Sequence, residues 1–119
     1  MDLFPTPLRP DAFQSARVRL HRVESDNMEP TLRSRWDYVL VAPVHTYAGE
    51  GLYLIQHAEG DCQVYRCQCN GQGDIWLLSD NKLYSRHTFS RAKFEARVLA
   101  KVLADVKVRD DHELRALAA

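Results

Sequence analysis

No uncharged apolar run in this chain of 119 residues approaches the roughly 20 residues that a membrane-spanning helix needs. The longest, Tyr38 to Val44, has the length of a strand, so a membrane partner is not expected. Charge of one sign is also missing in excess: sixteen Lys and Arg balance sixteen Asp and Glu. No overall field steers the chain to nucleic acid or to an acidic surface, which argues against DNA binding of its own. Cysteine is sparse and odd in number, three residues, which fits a reducing compartment rather than a disulfide framework. Residues 1–7 hold neither a positive start nor an apolar core, so they do not read as a secretory leader. These absences together predict a cytoplasmic protein.

What is present suits one globular domain. The composition is 45% apolar and 27% charged. A chain of this length buries about two-thirds of the surface it exposes when unfolded. Three of the five prolines fall within residues 1–14, and residues 1–16 read as an irregular arm. Arg17 to Val23 opens with alternation of apolar and charged residues, which predicts a strand with one buried face. Asp26 and Asn27 are capping types, and Met28 to Leu32 reads as a single helical turn that tolerates Pro30 near its start.

Tyr38–Val44 and Leu52–His57 are β-branched and aromatic runs bounded by Pro43, Gly49 and Gly51, and they predict strands. Cys62–Cys69 and Ile75–Leu78 flank Asn70-Gly71-Gln72-Gly73, a hairpin-type turn. Thr88–Lys93 carries no decisive pattern, and Ala96–Leu103 reads as a strand. Residues 17–109 thus form the body of the domain. Residues 110–119 suit a C-terminal helix or tail, with acids in its first turn.

Two blocks carry a family likeness: Ser25-Asp26-Asn27-Met28-Glu29-Pro30-Thr31-Leu32, and Trp36-Asp37-Tyr38-Val39-Leu40-Val41 after it. Together they resemble the active-site segment of the LexA/signal-peptidase-like serine–lysine proteases, usually Gly-Asp-Ser-Met-x-Pro-Thr and then Gly-Asp-x-Val-Leu-Val. Gly51 to Ile55 is similar to a further family strand. Val64-Tyr65-Arg66 aligns with Val-Lys-Arg, and Ile75 to Asn81 ends in the family's Ser-Asp-Asn. The likeness runs from Val23 to Leu103, about two-thirds of the chain. It implies a mainly β, LexA-like domain of strongly twisted strands, of the phage-repressor C-terminal type. One short helical turn after residue 27 and a short C-terminal helix would be its landmarks.

In that family a serine hydroxyl attacks a peptide bond and a lysine, its pKa lowered by burial, serves as the base. Here the serine position is Asn27 and the lysine position is Tyr65, 38 residues further on. An amide is no useful nucleophile, and a phenol with a pKa of about 10 is a poor base at neutral pH. The expected glycine is Ser25, and the Gly-Asp turn has become Trp36-Asp37 with one extra residue before it. No scissile Ala-Gly type pair precedes Asn27. The resemblance therefore implies a pseudo-peptidase, with Met28, Trp36, Tyr65 and Arg66 as candidate lining of a degenerate cleft. Asn27 either caps the turn that follows it or hydrogen-bonds Tyr65 across that cleft.

The remaining candidates have plainer readings. Cys62, Cys67 and Cys69, with His57 and His87 near in sequence, lack a fourth ligand at zinc-site spacing. They read as strand cysteines, and no metal or cofactor is expected. Arg86, Arg91, Lys93, Arg97, Lys101, Lys107 and Arg109 give the C-terminal third a basic bias that solvated faces explain. Asp80-Asn81 is a turn signal, and His21, His45 and His112 are surface residues.

The function expected is a non-catalytic regulatory module in phage-type transcriptional repression. It would associate with itself or with a related repressor, contact DNA only indirectly and take no small-molecule substrate. Relatives dimerise near the C-terminus, so the apolar segment Ala96–Val108, with Val98, Ala100, Val102, Ala104 and Val106, is the candidate interface, read as an edge strand. One alternative is a divergent peptidase with a relocated dyad, Ser25 with Lys82 or Lys93 as base. Another is a weak nucleic-acid-binding accessory protein.

Overall fold

The computed structural model of the chain describes residues 17–118. The arm read over residues 1–16 lies outside the described residues. Strands β1 (Arg19–Arg22), β2 (Tyr38–Pro43), β3 (Gly51–Gln56), β4 (Cys62–Cys69), β5 (Asp74–Leu78), β6 (His87–Ser90) and β7 (Val98–Val106) form one sheet. Their order is β1-β2-β7-β3-β4-β5-β6, and every pairing is antiparallel. Two short helices, α1 (Arg91–Arg97) and α2 (Asp111–Ala118), accompany it. The domain is mainly β, as a LexA-like architecture requires.

The inner strands are apolar on both pleats because both faces of the sheet are covered. On one face Tyr53, Ile55, Tyr65, Cys67, Ile75 and Leu77 pack with Phe89, Phe94 and Val98. Tyr47 stacks on Tyr53 at 5.8 Å between ring centroids, and Phe94 meets both rings edge-on. The alternate residues Leu54 and Val64 share the other face with Val39, Val41 and Ala100, under a lid of Val23, Met28 and Leu32. So α1 covers one face through Phe94, and the segment between β1 and β2 covers the other.

Local chemistry explains the turns. The turn after Asn27 closes through the Leu32 N–H to the Met28 carbonyl at 2.9 Å, and its Glu29–Pro30 peptide is cis. At the β4–β5 hairpin Gly71 and Gly73 take positive φ, and the Asn70 side-chain oxygen accepts from the Gln72 N–H at 2.7 Å. Helix α1 was not foreseen. Ser90 caps it, its hydroxyl accepting from the Lys93 N–H at 3.1 Å, and Arg-Ala-Lys-Phe-Glu-Ala-Arg are mostly good helix formers. The strand read from Ala96 therefore starts at Val98, where the helix ends.

The edge-strand reading of Ala96–Val108 needs correction, because β7 lies inside the sheet between β2 and β3. Val98 and Ala100 are buried, and β7 pairs with β3 through Ile55↔Val98, Leu54↔Ala100 and Tyr53↔Lys101. Beyond Lys101 that pairing stops, and Val102, Ala104 and Val106 pair with β2 alone. Among the described residues nothing pairs with the other side of this outer half of β7. The sheet's edges among the described residues are the short β1 and β6, and β1 carries Arg19 and Arg22, charges that discourage edge pairing.

Candidate functional site

The turn after β1 brings Asn27 to the end of the β4–β5 ladder. Those strands pair from Cys69↔Ile75 to Arg66↔Leu78, so the Val64 carbonyl lies beyond the last pair. Asn27 supplies a donor there: its Nδ2 donates to the Val64 carbonyl at 2.8 Å and to the Ser79 hydroxyl at 3.3 Å. The residue is 1% exposed. Its own carbonyl accepts from the Asn81 N–H at 2.9 Å, and its N–H donates weakly to the Ser25 hydroxyl at 3.4 Å.

A polar clasp holds this segment against the sheet. Arg66 forks onto Asp80, Nε to Oδ1 at 2.9 Å and Nη2 to Oδ2 at 2.8 Å, and the Thr31 hydroxyl donates to the same carboxylate. The Asn81 amide donates to the Asp26 carbonyl at 3.0 Å, and the Tyr84 hydroxyl donates to the Asp26 carboxylate. The turn signal Asp80-Asn81 is thus the part of the chain that grips residues 26–31 from the far side.

The Arg66 hydrogen bonds hold the Asp80 carboxyl below its ordinary range. A depressed pKa contributes stability above the unfolded value of about 4, and that contribution is lost as pH falls through the lower folded value. Arg66 is partly exposed, which weakens the pair. Asp80→Asn is therefore expected to cost about 1–2 kcal/mol at neutral pH and almost nothing in strong acid. Urea midpoints of both proteins at the two pH values would check this; a gap that persists in acid would mean that the carboxylate is not the source.

Tyr65 belongs to the opposite face of β4, in the α1-side core. Its hydroxyl lies 2.7 Å from His57 Nε2 and 2.7 Å from Gln63 Oε1. Burial pushes its pKa up to about 12, so the phenol keeps its proton through the neutral range. One phenolic proton serves one acceptor. With Gln63 accepting it, His57 Nε2 donates to the phenol oxygen, a tautomer assigned from this network. The His87 ring stands nearly perpendicular to Tyr65 at 5.9 Å. Asn27 and Tyr65 are therefore not bonded to one another: the amide is used by Val64 and Ser79, the phenol by His57 and Gln63.

The sequence matches the model of the Peptidase S24-like family over residues 5–103. The chain belongs to that family. Among curated proteins none matches it.

The candidate lining residues are not brought together around an open groove. Met28 is completely buried in the core, and Trp36 is 63% exposed on the surface. Arg66 is committed to Asp80. Ser25 is half-buried beside the Asn27 N–H, Lys82 is exposed, and Lys93 lies over the Phe89 ring at 4.5 Å. Cys67 is buried, with its thiol pKa pushed up to about 12 by desolvation, and it is inert as a nucleophile at neutral pH. Cys62 is half-buried and Cys69 exposed. Among the described residues no group of three or more His, Cys, Asp or Glu side chains could hold a metal ion, and no helix is long and apolar enough to cross a membrane. His21, read as a surface residue, is half-buried in β1, and burial lowers its pKa.

Two contacts escaped the sequence reading. The His57–Tyr65 bond joins residues 8 apart across the β3–β4 connection, and only the register of that hairpin aligns them. The Asn27–Val64 bond spans 37 residues, and no local signal marks it.

Proposed function

We propose that this S24-like domain works by association rather than by cleavage, as a regulatory module of the phage-repressor type. Its partner is a second copy or a related repressor, and DNA is reached only through that partner. The observation that carries the reading is the use made of Asn27. The family likeness puts this residue in the nucleophile's place, and here its amide holds an unpaired strand carbonyl. A protonated phenol at the base's position supports the same reading, since it has no free lone pair of useful basicity at neutral pH.

The association surface is the outer half of β7. Among the described residues, Val102–Val106 pair with β2 on one side only, and Leu103 is 55% exposed there. An open apolar strand side is a template for pairing with another chain. Sedimentation velocity at micromolar concentration is expected to give a dimer. Leu103→Arg is expected to raise the dimer Kd by at least about tenfold, by placing a charge in the paired surface. Intact mass followed for days at alkaline pH is expected to stay constant. A monomeric wild type would move the partner to another chain, and a defined cleavage product would overturn the non-catalytic reading.

A further inference from the structure

A cavity of about 210 Å³ opens on the α1 side of the sheet, between the end of β3, strand β6 and helix α1. Nitrogen-bearing side chains converge on it: His57 just after β3, His87 from β6, and Lys93 and Arg97 from the helix. Phe89 supplies an apolar wall, and Glu59 is the one acid in the lining. Three of these side chains are held in place. His57 is bonded to the buried Tyr65 hydroxyl, His87 packs on the same ring, and Lys93 Nζ sits 4.5 Å above Phe89.

Lys93 and Arg97 are four residues apart on α1 and so share one face, where like charges repel. Neither forms an ion pair among the described residues. Arg97 in the last turn is favoured by the helix's own field, but Lys93 has no such explanation. An anion between them removes the repulsion, and the planar guanidinium suits the paired oxygens of a phosphoryl group. The space is larger than a bare oxyanion fills, and Phe89 offers its ring to whatever carries the charge.

We propose that this cavity binds a phosphomonoester carried on a small apolar body. The phosphoryl oxygens face Lys93 and Arg97, and the body rests on Phe89. The proposal does not depend on how the domain associates or on whether it cleaves peptides.

The test is a titration of the full chain followed by amide NMR shifts, with phenyl phosphate, inorganic phosphate and benzyl alcohol run in parallel. Phenyl phosphate is expected to give saturable shifts confined to the residues that line the cavity (56–59, 87, 89, 93 and 97) and their chain neighbours. Inorganic phosphate should bind more weakly at the same place, and benzyl alcohol should not saturate. Lys93→Gln and Arg97→Gln are each expected to weaken phenyl phosphate by roughly tenfold, with the rest of the spectrum unchanged, while Lys93→Arg stays near wild type. Benzyl alcohol binding as tightly as phenyl phosphate would overturn the proposal. Shifts mapping elsewhere, unchanged affinity in both glutamine variants, or no saturation with either phosphate would also overturn it. Inorganic phosphate binding as tightly as phenyl phosphate would overturn the assignment to a phosphomonoester.

Discussion

Asn27→Asp is expected to lower stability by about 3 kcal/mol at neutral pH, although the two side chains have nearly the same shape. The amide donates to the Val64 carbonyl at 2.8 Å from a site only 1% exposed. A carboxylate there sets an acceptor against an acceptor and buries a charge without a counter-ion. Both effects disfavour the ionised form, so the new carboxyl's folded pKa lies above its unfolded value. For a raised carboxyl pKa, stability is highest below the unfolded value and falls as pH rises through the folded one. The variant should therefore lie closest to wild type in mild acid, where a protonated carboxyl can still donate to Val64, and furthest from it at neutral pH. Urea unfolding at the two pH values would measure this. A loss independent of pH would mean that the Asn27 amide does not hold the end of the β4–β5 ladder.

Phe94→Ala is expected to cost about 3–5 kcal/mol, a large share of the 5–15 kcal/mol that holds a typical domain. Phe94 is fully buried and is the only buried residue of α1. It fills the angle between the Tyr47 and Tyr53 rings, at 5.8 and 5.3 Å between centroids. Truncation removes the ring's burial and leaves a cavity that two aromatic side chains on different elements cannot both move to fill. A helix of seven residues is not stable alone, so it should detach locally before the sheet unfolds. Limited proteolysis between Ser90 and Val98, together with thermal unfolding, would detect this. A loss below about 1 kcal/mol would show that the sheet face is closed without the helix.

The inner strands were legible because they are short apolar runs rich in β-branched and aromatic residues, with glycine, proline or asparagine at their ends. Cys62–Cys69 and the Asn70–Gly73 turn needed no tertiary information. Helix α1 was missed although Ser90 and the helix formers after it mark it locally. Seven residues hold too few turns for periodicity to stand out, and strand-like Val98 follows at once. The basic bias of the C-terminal third was visible, but two of its members, Lys93 and Arg97, separate from the rest only when α1 places them beside His57 and His87.

What the amino-acid order settled by itself was the class of fold and the family. Those properties live in local pattern and in ordered motif blocks. What Asn27 and Tyr65 bond to was decided only by tertiary structure, as was the burial of the Val98 half of β7 between β2 and β3. Strand order and register bring together residues tens of positions apart, and nothing in their immediate neighbours encodes which carbonyl will be left without a donor.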